Sequence, residues 1–561
     1  VRVLLIPVLV LSAIIVGLLG FVVWVSFSQT NAGDLTFGGG WANYAALLQN
    51  VNVGSAVSNT LEFAAITVLI AFAFGLPLAW LSERTDLPGR KLIWVTMLAS
   101  LVIPAFLLAM GWLFILHPRI GFLNALLMQW FHLDAAPLSI MTVGGMAWVE
   151  GISLAPLVFI LVAPSMKAID YVLEEAAMMA GASPFSTFRR VTLPLIAPAL
   201  IAAVIYTLIH SIGAFDIPAV IGLSGRIYTF STFLYVLAYP VNGFPVYTTT
   251  AAGGGLMIVV ALALSVVYSR VLAKARQYQV VSGKAYRPRL VELGRWKVAG
   301  WIFACTYAVL VLILPLGMTI IFSLLPYTEQ LSPQAFGHLT LANFAAIPWD
   351  LLVRGGLNTL TLVILVPLLV VAASCAFSWV VLRSRTRGRL LFDSIAFLPH
   401  AVPGVLFALG ATLVALFVLR RFIPIYGTIF MLIFVYTIGW ISFGTRITNS
   451  ALIQIHPDLE EAGAIAGARG SAVLSRITLP LLKPALSGLW LFTVLLCLRE
   501  LTLAAFISTP SNLTLPMVSW TLWTDGSFTQ AAAVATLIVL AIVPLLLLFL
   551  RFGIRAETML K

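Results

Sequence analysis

Apolar residues run almost unbroken over long stretches of this chain, and the short polar groups between them carry most of its charge. An α-helix needs about 20 such residues to cross the hydrocarbon of a bilayer, and on that rule the pattern predicts about twelve spans. They fall near 3–26, 56–81, 92–116, 138–163, 195–222, 247–272, 297–323, 357–382, 391–418, 427–448, 482–507 and 530–552. The expected fold is an all-α polytopic membrane protein. The first run, Val3 to about Val25, is too long for a signal-peptide core and lacks a small-residue cleavage site, so it reads as a retained helix. A chain that opens on Val suggests that some leading residues are absent.

The polar interruptions repeat. Residues 174–200 read EEAAMMAGASPFSTFRRVTLPLIAPAL and residues 460–486 read EEAGAIAGARGSAVLSRITLPLLKPAL, with 14 of 27 positions identical and no gap. Other pairs follow: Asn43-Tyr44-Ala45-Ala46 with Asn343-Phe344-Ala345-Ala346, and Asn59-Thr60-Leu61 with Asn358-Thr359-Leu360. Gly89-Arg90 returns as Gly388-Arg389, and Ile103-Pro104 as Val402-Pro403. These pairs are offset by 299 or 300 and the polar loops by 286, which implies an extra stretch in the first half around Trp130 to Gly145. A repeat of this size means two related units. Six spans in each half make the repeats parallel. The expected division is a first half at 1–270 with its polar loop at 165–194, a basic linker at 271–296, and a second half at 297–561 with its loop at 453–480. The linker reads as a solvated tether; a lipid-headgroup patch or a regulatory site are the other readings.

Composition sharpens the class. Of the 561 residues 61% are hydrophobic and 9% charged, which excludes an ordinary soluble domain. Cys305, Cys375 and Cys497 all lie in apolar runs and read as core residues, so no metal site is assigned. The net charge of +12 does not point to nucleic acid, because its distribution is topological. With the amino terminus in the cytoplasm, that side collects Arg84, Arg90, Lys91, Lys167, Arg189, Arg190, the run from Arg270 to Lys297, Arg383, Arg385, Arg387, Arg389, Arg469, Arg476, Lys483, Arg551, Arg555 and Lys561. The other side keeps Arg119, Arg226, Arg354, Arg420 and Arg421. This is the positive-inside pattern, with both termini cytoplasmic.

The duplicated loop carries the functional signal. Asp170, Glu174 and Glu175 precede an Ala/Met-rich stretch, as Asp458, Glu460 and Glu461 do in the second copy. Acidic residues at a helix start complement the macrodipole, and alanine favours the helix. Gly181 and Gly467 then permit a tight turn or a close backbone approach. Pro194 and Pro480 mark the restart of a helix. The expected shape is a short helix, a sharp turn and a second short helix on the cytoplasmic face, able to fit a groove on a soluble partner.

The pattern Glu175-Ala176-Ala177, Gly181, Val191, Leu193-Pro194 resembles the EAA loop of ABC importer permeases. The second copy, Glu461-Ala462-Gly463, Gly467, Ile477, Leu479-Pro480, departs from it at Gly463, where alanine is expected. That glycine is expected to loosen the helix without abolishing docking. In that family the loop is a coupling helix seated on the nucleotide-binding subunit. The resemblance implies contact through Glu175 and Glu461, with Glu174, Ala176, Glu460 and Ala462 beside them, and a turn at Gly181 and Gly467. No phosphate-cradling G-x-x-x-x-G-K-[ST] pattern is present, the single Gly-Lys pair being Gly283-Lys284 followed by Ala285. ATP and Mg are therefore expected on a separate ATPase, present in two copies, with no cofactor on this chain. The family resemblance also implies a periplasmic substrate-binding protein on the opposite face and a place in the bacterial inner membrane.

The resemblance extends over nearly the whole chain and points toward fused two-half permeases for ferric iron. It rests there on Gly213-Ala214-Phe215-Asp216-Ile217-Pro218, Tyr228-Thr229-Phe230-Ser231-Thr232 and Arg499-Glu500-Leu501. Permeases for polyamines, thiamine, sulfate or aminoethylphosphonate share similar pieces. Ionisable residues inside spans are functional candidates because they are costly there. Those here are Glu62, His210, Asp216, Arg499 and Glu500. Asp216 and Glu500 occupy nearly matching places and offer oxygen to a hard cation, while local pairing of Arg499 and helix capping by Asp216 are the alternative reading. A secondary transporter of the major facilitator type also has twelve helices in two parallel halves, and Asp86-Leu87-Pro88-Gly89-Arg90-Lys91 echoes its basic turn. That family has no use for paired coupling loops. A channel or a membrane enzyme finds no supporting motif.

Overall fold

The computed structural model describes residues 2–559 apart from 32–33, 39, 170, 241–242, 276–289, 332–333 and 385. Asp170 and most of the expected linker therefore lie outside the described residues. Among those described, eleven helices are long and apolar enough to cross a bilayer: Leu4–Ser26, Val53–Arg84, Val143–Lys167, Phe185–Ile212, Tyr247–Val271, Gly294–Leu324, Trp349–Arg383, Gly404–Arg421, Ile429–Ile453, Leu474–Arg499 and Phe528–Arg551. A twelfth span results if Lys91–Val102 and Ala105–Leu116, bent by 97°, count as one. The all-α polytopic fold is as expected. One short antiparallel hairpin joins it, Ser28–Asn31 against Asp34–Phe37, with Ser28 opposite Phe37.

Several expected spans are interrupted, each for a local reason. A residue before proline is pushed out of the helical region. Ile103 accordingly takes ψ 134° before Pro104, and Val402 takes ψ 135° before Pro403. The runs at 92–116 and 391–418 are therefore each two helices, Arg389–Ala401 and Gly404–Phe417 forming the second pair. The runs at 195–222 and 482–507 also stop early, at Ile212 and Arg499. The first resumes at Asp216–Ile217 and continues as a π-helical turn at Pro218–Gly222, and the second resumes as the short helix Thr502–Ile507.

Between the matched spans, the first half holds the helix Phe122–Phe131 and a loop to Thr142 where the second half holds Leu419–Arg421 and a loop to Thr428. Asn124, fully buried, holds the first-half segment together. Its amide donates to the carbonyls of Leu116 (3.2 Å), His117 (3.2 Å) and Leu138 (2.8 Å), and its oxygen accepts the Leu138 N–H (3.2 Å). The repeated Asn-Thr pairs also acquire a role. The Asn59 amide donates to Tyr228 O (3.0 Å) and Thr60 Oγ1 accepts the Phe230 N–H (2.8 Å). Their counterparts Asn358 and Thr359 make the same bonds to Leu513 O (2.9 Å) and the Leu515 N–H (2.9 Å).

Packing does not follow chain order. One compact unit holds Val1–Asn50, Leu234–Ile258 and Ala342–Lys561; the other holds Val51–Phe233 and Val259–Leu341. The division at 271–296 thus follows the sequence repeat, whereas each packed unit takes its opening helix from the other repeat. Helix Arg2–Ser26 packs on Trp349–Arg383 and Gly404–Phe417, and Leu314–Leu324 packs on Ala105–Leu116. Helices meet this closely in membranes where small residues let backbones approach. A Cβ on Gly111 would lie 2.2 Å from Pro315 O, and one on Gly410 would lie 2.7 Å from Leu18 O. These two glycines are themselves offset by 299.

Gly111→Ala and Gly410→Ala should each destabilise the detergent-solubilised protein by about 1–3 kcal/mol through overpacking. Gly317→Ala, where a Cβ meets open space, should leave the thermal midpoint unchanged or slightly raised. Equal midpoints for all three would contradict the backbone contact.

Candidate functional site

The two polar loops fold alike, step by step. In the first, helix Tyr171–Met179 ends at Gly181, a four-residue helix Pro184–Thr187 follows, and a π-helical turn Phe188–Thr192 leads into Leu193–Ile212. In the second, Pro457–Ile465 ends at Gly467, Gly470–Val473 follows, and the π turn Leu474–Thr478 leads into Leu479–Arg499. Gly181 has φ +87° and Gly467 φ +85°. In both copies the glycine N–H and the next N–H return to helix carbonyls: Gly181 to Met178 (2.9 Å) and Ala182 to Ala177 (3.0 Å), Gly467 to Ala464 (3.0 Å) and Ala468 to Gly463 (3.0 Å). This is the glycine-terminated helix end in which left-handed backbone satisfies the last carbonyls. A Cβ at either glycine would meet open space, so the turn, not a close backbone approach, is what requires glycine.

A buried charge cluster anchors each loop. Arg84, at the last turn of Val53–Arg84, pairs with Glu174 through Nη2, and both side chains are nearly inaccessible at 4% and 6%. Arg84 Nη1 also donates to the carbonyls of Met166 (3.4 Å) and Ile169 (3.3 Å). Glu174 Oε1 accepts from Thr192 Oγ1 at 2.6 Å. One guanidinium thus joins the end of Val53–Arg84 to the carboxyl end of Val143–Lys167 and to the loop. The second copy uses the matching partners through different atoms. Arg383 Nε reaches Glu460 Oε1 at 3.1 Å, Arg383 Nη2 donates to Leu452 O (3.0 Å) and Ile455 O (2.6 Å), and Thr478 Oγ1 donates to Glu460 (3.3 Å). Here both charged side chains are 13% accessible.

Glu174 and Glu460 therefore face inward. Glu175 is half-buried, while Ala176, Glu461 and Ala462 are exposed. Beside them the loops present matching apolar side chains: Leu173 and Leu459 are 43% and 50% exposed, and Met179 and Ile465 are 85% and 88% exposed. The departure at Gly463 has a packing cause. A Cβ there would lie 2.5 Å from Ile477 Cδ1, and the first copy pairs Ala177 with the smaller Val191. One methyl group has changed sides.

Among the intramembrane candidates, Glu62 lies exposed on Val53–Arg84. His210 Nδ1 stands 3.8 Å from Glu150 Oε1. Glu150 is buried in helix Val143–Lys167, a carboxylate that sequence reasoning passed over although it stands alone in an apolar run. Asp216 is half-buried in the first helical turn after the break at Gly213–Phe215. Arg499 is half-buried in the last turn of Leu479–Arg499. Glu500, nearly buried, accepts the Leu503 N–H at 2.8 Å, so one of its oxygens caps helix Thr502–Ile507. Among the described residues, no group of three or more His, Cys, Asp or Glu side chains is close enough to hold a metal ion.

A family model described as "binding-protein-dependent transport system inner membrane component" matches residues 71–278 and again 366–554. The chain belongs to that family. The permease is an ABC importer subunit that carries the family segment twice, with one anchored loop in each. It is 23% identical over 498 residues to the Fe(3+)-transport system permease protein FbpB 2 of Haemophilus influenzae, covering 88% of this chain and 89% of that one. It is 22% identical over 509 residues to the ferric transport system permease protein FbpB of Actinobacillus pleuropneumoniae, covering 88% and 70%. The molybdenum transport system permease protein ModB of Escherichia coli is 26% identical over 215 residues, 38% of this chain and 88% of its own.

Removing one partner of a buried ion pair strands the other charge, at about 3–5 kcal/mol. Glu174→Ala should lower the thermal midpoint of the purified permease more than Glu460→Ala does, because the second cluster admits more water. Equal, small losses would mean that neither pair is held as described.

Proposed function

We propose that this permease imports ferric iron handed over by a periplasmic binding protein, driven by two copies of a separate ATPase that dock on the loops 165–194 and 453–480. The reading rests on one observation: two anchored loops present the same exposed apolar pair, Leu173 with Met179 and Leu459 with Ile465, beside Glu175 and Glu461. Such a surface suits a shallow groove on a soluble partner, and its duplication suits two equivalent partners. The basic residues gathered at the loop ends of the spans support a cytoplasmic location for both loops and both termini. ATP and Mg then belong to the partner. Iron is favoured because two relatives matched through both repeats are named as ferric transport permeases.

The mechanism follows from differential binding. A ligand shifts a conformational equilibrium only as far as it prefers one state over the other. ATP-driven closure of the ATPases favours the state in which the loops approach one another, and hydrolysis releases it. Because Arg84 or Arg383 latches each loop to the end of Val53–Arg84 or Trp349–Arg383, its displacement is passed to the helices and not absorbed by slack. Asp216 in one packed unit and Glu500 in the other each offer oxygen to a hard cation, bound weakly enough to release it.

In proteoliposomes holding the permease, its ATPase and its binding protein, ferric iron should accumulate only with ATP. Accumulation of molybdate or sulfate in its place would overturn the cargo assignment. Gly181→Val or Gly467→Val should keep ATP hydrolysis but reduce iron moved per ATP at least several-fold, since a β-branched residue at positive φ distorts the turn. Wild-type coupling in both variants would remove the loops from the docking surface. Glu500→Ala should lower uptake while the ATPase still copurifies; undiminished uptake at normal expression would take Glu500 off the path.

A further inference from the structure

The segment that leaves the linker does not simply enter the next helix. At Leu290–Lys297 it lies across the turn that follows Arg84. Val291 pairs with Thr85 in a parallel bridge. The Val291 N–H donates to Arg84 O at 2.9 Å, and Val291 O accepts the Asp86 N–H at 3.1 Å. Asp86 then reaches back: Oδ1 accepts the Leu293 N–H at 2.9 Å and Oδ2 pairs with Lys297 Nζ at 2.6 Å. The Leu293 amide and the Lys297 ammonium hold the Asp86 carboxyl below the usual carboxylate range. Apolar contacts reinforce the bridge. Leu87 is buried, Gly300 sits against Leu81 and Leu87, and the Trp301 ring covers Gly89 so closely that a Cβ there would lie 2.9 Å from Cζ2.

This arrangement pins the backbone of the residue whose side chain holds the first loop. Arg84 O is bonded to the strap, and Arg84 Nη2 to Glu174. The matching turn of the second repeat keeps the local bond, Ser384 Oγ to Val380 O as Thr85 Oγ1 to Leu81 O, but Gly388 meets open space where Gly89 meets the Trp301 ring. We infer that the linker exit, Leu290–Lys297, is a positioning strap for the first loop: through Asp86 and Val291 it fixes Arg84, and through Arg84 it holds Glu174 and helix Tyr171–Met179 rigid enough to transmit force. The inference rests on the coupling role proposed for that loop. It makes Asp86, Lys297 and Val291 positioning residues for transport, and it gives the linker a task beyond tethering two halves.

The test uses the full complex in lipid nanodiscs for amide exchange and in proteoliposomes for transport. Asp86→Ala removes both carboxylate bonds; Val291→Pro removes the N–H that Arg84 O accepts. Each should speed exchange in residues 171–192 about tenfold, leave residues 457–478 unchanged, and lower cargo moved per ATP at least threefold while the ATPase remains bound. Cutting the linker at a protease site inserted within 276–289 should alter neither exchange nor coupling, because the strap is held by its own bonds. Three results would overturn the strap: unchanged exchange at 171–192 in both variants, equal acceleration of both loops, or a cut linker that reproduces the Asp86→Ala behaviour. Faster exchange at 171–192 with normal cargo per ATP would also sink it as a coupling device. If the unaltered complex moves no cargo with ATP, the functional reading fails instead, and the exchange results still decide whether the strap exists.

Discussion

A guanidinium taken out of water must find a counter-charge and enough acceptors for its remaining N–H groups, or the structure around it will not form. Arg84 meets that demand with one carboxylate and two main-chain carbonyls, drawn from the end of a neighbouring helix and from the loop beyond it. Because those acceptors come from separate pieces of chain, satisfying the arginine fixes their mutual placement. The threonine that closes the second carboxylate oxygen adds the base of the next span. Three segments that hydrophobic packing alone would leave free to slide are thereby set in one geometry.

The same solution at Arg383, with each partner displaced by the repeat offset, explains why the loop is better preserved between halves than the helices around it. Lipid-facing helix surfaces tolerate any apolar side chain of suitable size. A hydrogen-bonded ion cluster does not, since each donor and acceptor has a required position. The left-handed turns at Gly181 and Gly467 are constrained in the same strict way by backbone sterics. Elsewhere size is conserved in sum and not by position, as the exchange of Ala177 and Val191 for Gly463 and Ile477 illustrates.

Hydropathy made the spans and their number legible, and the gapless loop repeat made the two-fold construction legible. The turns at Gly181 and Gly467 were readable because few residue types suit a positive φ. Averaged hydropathy is blind to direction, however, so the breaks at Pro104, Pro403, Gly213 and Glu500 were absorbed into longer helices. Arg84 and Arg383 counted only as topological charges, because their burial depends on partners some 70 to 90 residues away. The matched offsets of Arg84 with Arg383 and of Thr192 with Thr478 were already present in the repeat and would have exposed the cluster if paired with the carboxylates. Glu150 escaped notice for the opposite reason: a lone carboxylate among Gly, Trp and Ile carries no pattern. The roles of Asn59 and Thr60 needed the fold, since their partners lie on a loop about 170 residues on.

The interleaving of the packed units bears on how the protein is made. Synthesis proceeds from one end, yet the helix Arg2–Ser26 belongs with residues from 342 onward, and the unit built on Val51–Phe233 stays open until residues 259–341 arrive. The first helix meets Leu234–Ile258 earlier, where a Cβ on Gly254 would lie 3.1 Å from Val22 Cγ1, but it must wait for Trp349–Arg383 and Gly404–Phe417 while more than 300 residues are translated. Neither repeat can mature as a self-sufficient piece during that interval. Joining both in a single polypeptide keeps the waiting helix at the concentration its late partners need.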